Sequence, residues 1–508
     1  MTGSSQAAIA QQTAALHRPP HLVCIWPDVG PVNSYQHFAR RGGALALQVF
    51  GSLVRHAHDL PAVVETPGTQ DAIGDALVHM KQWLGLMPFR PGDTPLAHVP
   101  DLESVFFDYY YRGCYDDFWA QEGCDQSRHW ERHADIPGMF SGGWFDPFVG
   151  GTIGYFGARR ASSSRVQKLL IGPWAHETMR TGSSAVGDAD FGRDAAWGTA
   201  RYHKDLLAFF GRYLRGEPAW DAVPTARTFV MGGGSGTRTT GGLVDHGGRW
   251  RAGESWPPQG VSSRAYYLWV DGSMRPSVPP DADDFAPLRF DPSKPVPTLG
   301  GAFQGLYRFP RSWKADGRHV KSVHLGRNLT PPGPRDQRVR TKRTGSLGHG
   351  LPIAARADVL VFQTEPLAQD TEVTGEAVVE LWVSSSAPDT DFTAKIVDAY
   401  PPSRDFPSGL DLAISGTIFR ARYREGWDHE VLMRPDQRYL LRLNFPPISN
   451  LFAAGHRVRL YISNSDHPQF EVNPNTGEAP GRNVTTCAAL NRVHMSRDAA
   501  SRILLPVM

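Results

Sequence analysis

A chain of 508 residues, 41% of them apolar, can build a large core and is long for a single domain, so two or three domains are expected. Its 53 basic and 51 acidic residues nearly cancel, which argues against a nucleic-acid or anionic-membrane partner and leaves a small molecule as the expected one. Cys24, Cys114, Cys124 and Cys487 form no Cys-x-x-Cys pair and no disulfide framework. No apolar run reaches membrane-spanning length, and the first residues lack the basic and apolar regions of a signal peptide, so the cytoplasm is the expected compartment.

The chain opens on MTGSSQAAIAQQTAALHRPP. Gln6 to His17, rich in Ala and Gln and stopped by Pro19 and Pro20, predicts a helix. Ser4 or Ser5 is then either its cap or, at a strand-to-helix corner, a catalytic nucleophile. No strand is legible before it. HLVCIWPDV, His21 to Val29, has the continuous apolar character of a strand buried on both faces. With nothing ahead of Ser5, it is expected to form the open edge of the sheet.

From Pro31 to Asp135 the pattern is helical, as in ALALQVFGSLVRHAHD and AIGDALVHMKQWLGL, and reads as a cap over the sheet. The aromatic run Phe106, Phe107, Tyr109, Tyr110 and Tyr111 either packs this cap or lines an acyl pocket. Buried strands return at IPGMFSGGW and VQKLLIG, followed by an amphipathic helix carrying Trp197, Tyr202, Leu206, Phe209 and Tyr213.

From about Pro224 short alternating runs separated by turn residues predict an antiparallel β-sandwich. In RVRLYIS, Val458, Leu460 and Ile462 point one way and Arg457, Arg459 and Tyr461 the other. The Pro-rich stretch from Trp256 to Pro310 reads as long connections wrapping the sandwich. The Asn328 sequon NLT is short enough to be a chance match.

Two turns carry chemistry. GGWFDPF places Asp146 just past one strand, and IGPWAH places His176 just past the next. The order Ser5, Asp146, His176, each at a strand end, is that of α/β-hydrolases. Ser5 would attack an acyl carbon, His176 would take and return the proton, and Asp146 would hold the imidazole. The backbone N–H of Gln6 would serve the oxyanion.

These motifs resemble the cocaine-esterase-like and Xaa-Pro dipeptidyl-peptidase (S15) serine hydrolases. That family has an elbow of the form Gly-x-Ser-Tyr-x-Gly, here with Gln6 and Ala8 in place of Tyr and Gly and with Gln11 retained. It also has a Gly-Trp-Tyr-Asp-x-Phe turn and a Gly-Pro-Trp-x-His turn. YDDFW, FGRYLRG, DQR, VLVFQTEPL, DTDFTAKIVDAYP and NPNTG extend the likeness over essentially the whole chain.

The resemblance implies an α/β-hydrolase with a helical cap and a jelly-roll β-sandwich. Residues 1–30 and 136–222 would be the hydrolase core, 31–135 the cap and 223–508 the sandwich. It further implies an acyl-enzyme mechanism on esters, amides or short peptides, with Xaa-Pro and α-amino-acyl groups as candidates and no metal or organic cofactor. Trp144, Phe145, Trp174, Asp116 and Asp117 are the candidate substrate contacts, Asp116 and Asp117 with a fold role at the end of the cap as the alternative. Self-association into a homo-oligomer is compatible with it. The family places further segments before the elbow, including the strand that feeds the serine and a tyrosine that supplies a second oxyanion donor. A catalytically inactive ligand-binding protein is the alternative.

Overall fold

The computed structural model describes residues 1–311, 313, 327–338 and 351–508. A strand does precede Ser5. β1 (Thr2–Ser4) is three residues long and runs parallel to β2 (Trp26–Asp28), with Ser4 opposite Asp28. The expected strand over His21–Val29 shrinks to β2 plus a bridge at Ile25, because His21 takes a left-handed φ of 71° and Val23 turns to solvent. It is not the sheet edge either, since β1 lies outside it.

The parallel sheet continues through β3 (Gly138–Phe145), β4 (Gln167–Ala175) and β5 (Ala226–Met231). Every residue of β3 and β4 is buried. Helices on both faces explain why these strands are apolar without alternation. On one face, Ile25, Phe140, Leu169 and Ile171 pack with Ile153 and Phe156 of α7 (Val149–Ser162). On the other, Trp26, Met139 and Leu170 pack with Tyr202 and Phe209 of α8 (Gly198–Phe210). β5, which the sequence assigned to the sandwich, hydrogen-bonds to β4 and carries the parallel sheet past residue 222.

α1 (Gln6–Leu16) is locked to the strands by one side chain. The Gln11 amide donates to the carbonyls of Gly3 (3.0 Å) and Ala7 (3.1 Å), and its oxygen accepts the Trp26 N–H at 3.1 Å. The segment from 31 to 135 holds α2 (Gln48–His58), α3 (Pro61–Glu65), α4 (Thr69–Val78), α5 (Met80–Leu84) and α6 (Pro100–Tyr111). Phe106, Phe107 and Tyr110 are buried with Phe50 and Phe89, so much of the aromatic run is packing. Phe303, Leu306 and Phe309 come from far downstream to complete this core.

Most of the strands after β5 form two packed layers. One contains Leu410–Arg420, Asp391–Tyr400 and Arg457–Ser463. The other contains Thr371–Gly375, Arg502–Val507, Val378–Ser385 and Ala489–Ser496 and joins the parallel sheet where Asn450 pairs with Met231. Val458, Leu460 and Ile462 point into the main core as expected, while Tyr461 is buried in a smaller cluster on the opposite face. The stretch from Trp256 to Pro310 is not all connection. Ser262–Leu268 pairs with Arg502–Val507, and Phe285–Phe290 pairs with Ala489–Ser496.

Candidate functional site

Ser5 sits between β1 and α1 with φ 58° and ψ −118°, a left-handed φ that a non-glycine residue adopts only when its surroundings impose it. Its N–H donates to the Asp28 carbonyl at 2.9 Å. Its side chain makes no capping bond to the helix, so the capping alternative for Ser5 falls. Gln6 begins the helix, where the first backbone N–H groups have no partner within the helix.

Asp146 and His176 come together. Asp146 follows β3 in a turn closed by its own N–H to Gly143 (3.0 Å) and by Phe148 N–H to its Oδ1 (2.7 Å). Its Oδ2 lies 2.6 Å from His176 Nδ1. That bond puts the proton on Nδ1 and leaves Nε2 as the acceptor. The imidazole is 10% exposed and lies edge-on to Phe148. Burial alone would push its pKa down. The charge and hydrogen bond of Asp146, with Glu177 and Asp28 behind, outweigh burial and hold it above the ordinary value.

The candidate substrate contacts are placed elsewhere. Trp144, Phe145 and Trp174 are only 1–2% exposed. The Trp144 indole donates to Phe229 O, the Trp174 indole donates to Ala195 O while stacking on Trp197, and Phe145 packs on Phe191. They are core residues, because a sheet covered on both faces buries both sides of each strand. Asp116 is committed to the Phe118 N–H and to an ion pair with Arg112, the fold role weighed for it. Asp117 is exposed beside it.

Other residues around Asp146 and His176 carry no motif. Glu177, next to His176, accepts from the Tyr307 hydroxyl at 2.9 Å and from the Asn328 amide at 3.4 Å. Arg41 donates to Pro147 O at 3.2 Å and feels the charge of Asp146, while burial pushes its pKa down to about 10. It lines a cavity of about 290 Å³ with His37, Pro147, Gly150 and Trp427, and burial holds His37 down to about 4, hence neutral at pH 7. Asp28, fully buried, pairs with the partly exposed Arg180. The one sequence signal for Asp28 is a charge ending an apolar strand.

Among the described residues no helix is long and apolar enough to cross a membrane. The chain is 33% identical over 386 residues to the cocaine esterase of Rhodococcus sp. (strain MB1 Bresler), an alignment covering 73% of this chain and 56% of that protein. The chain thus spans little more than half the length of that relative. The crystal structure of an aminopeptidase from the marine sediment archaeon Thaumarchaeota archaeon superposes with a TM-score of 0.72 at 21% identity, over 100% of this chain and 76% of the other. An α-amino acid ester hydrolase superposes with a TM-score of 0.72 at 23% identity, also over 100% and 76%. The fold is an α/β-hydrolase followed by a β-rich region. Residues 1–178 match the X-Pro dipeptidyl-peptidase (S15 family) domain and residues 218–504 the X-Pro dipeptidyl-peptidase C-terminal non-catalytic domain, and with these matches spanning most of its length the chain belongs to the S15 family.

Proposed function

We propose that the protein is a serine hydrolase that cleaves carboxylic esters or amides through Ser5, His176 and Asp146. The observation that carries this reading is the 2.6 Å bond between Asp146 and Nδ1 of a nearly buried His176, on strand-end loops of the same sheet whose first strand leads into a serine held at φ 58°. Ser5 Oγ attacks the acyl carbon as His176 Nε2 takes its proton, and Asp146 holds the imidazolium that forms. The developing oxyanion meets the Gln6 N–H. Nε2 then returns the proton to the leaving group, and water repeats the sequence on the acyl-enzyme.

The names of the relatives support esters, α-amino-acyl esters and N-terminal peptide bonds as the substrate range. Four free cysteines fit a cytoplasmic setting. The second reading, a ligand-binding protein without catalysis, draws on the Ser5 hydroxyl having no hydrogen bond to His176 among the described residues. Labelling with an alkyl fluorophosphonate separates the two. Rapid, stoichiometric modification of Ser5 is expected; a chain left unmodified while His176 is neutral would favour the binding protein.

A further inference from the structure

At the carboxyl ends of β1 and β2, two non-glycine residues hold left-handed φ angles: Ser5 at 58° and Val29 at 44°. For a β-branched residue such a φ is strained and persists only where surrounding contacts over-determine it. The residue between them in the sheet is Asp28. Its carbonyl accepts the Ser5 N–H at 2.9 Å, and the next N–H, that of Val29, donates to Ser141 O at 2.8 Å. Its side chain is 0% exposed. Oδ1 accepts the hydroxyl of Ser141, which in turn accepts the Trp26 indole N–H at 2.7 Å. Oδ2 accepts from Arg180.

Arg180 lies four residues beyond His176. Its guanidinium stacks over the Tyr202 ring at 4.1 Å, and its carbonyl accepts the Thr199 hydroxyl at 3.1 Å. Burial raises the Asp28 pKa, Arg180 and Ser141 oppose that, and Asp146 adds repulsion, so the carboxylate shares the electrostatic field of the triad.

We propose that Asp28 and Arg180 are a positioning pair for the triad, an inference that rests on the hydrolase reading. Through its carbonyl Asp28 fixes the backbone of the nucleophile, and through Arg180 it fixes the loop that carries the base. One residue thus sets the placement of Ser5 relative to His176, two groups that share no hydrogen bond of their own. Asp28 also tunes the base. His176 is faced by Asp146 from the turn after β3, by Glu177 on its own loop and by Asp28 from β2. Arg41 shares the field of Asp146 from the segment before α2. Removing the Asp28 charge takes away one of the anions that favour the imidazolium.

The test uses the full chain with Asp28→Asn, Arg180→Met and Arg180→Lys. The first readout is the NMR titration of the His176 ring, assigned by its loss in His176→Gln. The second is the rate of Ser5 labelling by an alkyl fluorophosphonate. Asp28→Asn is expected to move the His176 midpoint to lower pH. Labelling should slow about 10²-fold in Asp28→Asn and Arg180→Met, the size of effect a misplacement of about 1 Å produces. Arg180→Lys should keep most of the rate. Arg180 is 36% exposed, so its variants carry the test should Asp28→Asn fail to fold. An unmoved His176 midpoint in Asp28→Asn, or wild-type labelling in Arg180→Met, overturns the inference. If wild-type Ser5 is never labelled, the hydrolase reading falls instead, and the titration still decides whether Asp28 is coupled to the base.

Discussion

The methyl group of Ala8 lies against the bare α-carbon of Gly30: a Cβ on Gly30 would stand 2.5 Å from the Ala8 Cβ and 3.1 Å from Gln12 Nε2. Ala8, fully buried, stands where the family elbow carries glycine, and the close approach of helix to strand survives because residue 30 has no side chain. Gly30→Ala should therefore destabilise the protein by about 1–3 kcal/mol through overpacking. Ala8→Gly in the same chain should recover part of that loss in a denaturant titration. Strict additivity of the two changes would show that they do not share the space.

Substitution of the triad should act on catalysis and leave folding alone. With any ester the wild type turns over, Ser5→Ala and His176→Ala are expected to lower kcat by about 10⁴-fold or more, and Asp146→Asn by about 10⁴-fold through the wrong tautomer. Ordinary turnover by Ser5→Ala would remove Ser5 from the chemistry.

The pH profile has a predictable sign. Only neutral His176 can accept the serine proton, and its pKa is held above the ordinary value, chiefly by Asp146 acting against burial. The acid limb of kcat/KM should therefore have its midpoint above about 6.5, the unperturbed histidine value. Because the folded pKa is the higher one, the stability contributed by this pair is full below about 6.5 and is lost as pH rises through the folded value. Asp146→Asn should move the midpoint down. A wild-type midpoint below the unperturbed value would contradict the geometry.

In the sandwich, Arg420 donates to both oxygens of Asp391 (2.8 and 2.9 Å) and to Glu471 (2.5 Å), while Asn473 bridges Asp389 and Asp391. The Arg420 and Asp391 side chains are almost wholly buried. Arg420→Met leaves two carboxylates without their cation and should cost about 3–5 kcal/mol, read as a lower denaturation midpoint. A loss within error would mean that water reaches the cluster.

The proposed acid and base could be picked out because Asp146 and His176 follow buried strands, and strand ends are where such sheets place chemistry. β1 was not. Three residues of Thr-Gly-Ser carry no strand signal, and they are extended only because Trp26–Asp28 offers them a partner. Phe285–Phe290 was hidden by Pro287, which this strand tolerates because it lies at the end of the sheet. Trp144, Phe145 and Trp174 looked like site residues because they flank the acid and the base, yet their rings are used on the inner faces of β3 and β4. Asp28 could not be weighed from the sequence, since its partners Ser141 and Arg180 stand 113 and 152 residues away.

The helices between residues 31 and 135 enclose Phe303, Leu306 and Phe309, which follow the last of those helices by nearly two hundred positions. At about 5–20 residues per second of synthesis, some 10–40 s separate the emergence of Tyr111 from that of Phe309. Throughout that interval the sides of Gly51 and His58 against which Leu306 and Phe309 pack have no permanent cover. The nascent chain therefore presents a sticky helical intermediate to the cell, and holdase chaperones that shield such surfaces should set its yield more strongly than the stability of the finished protein does.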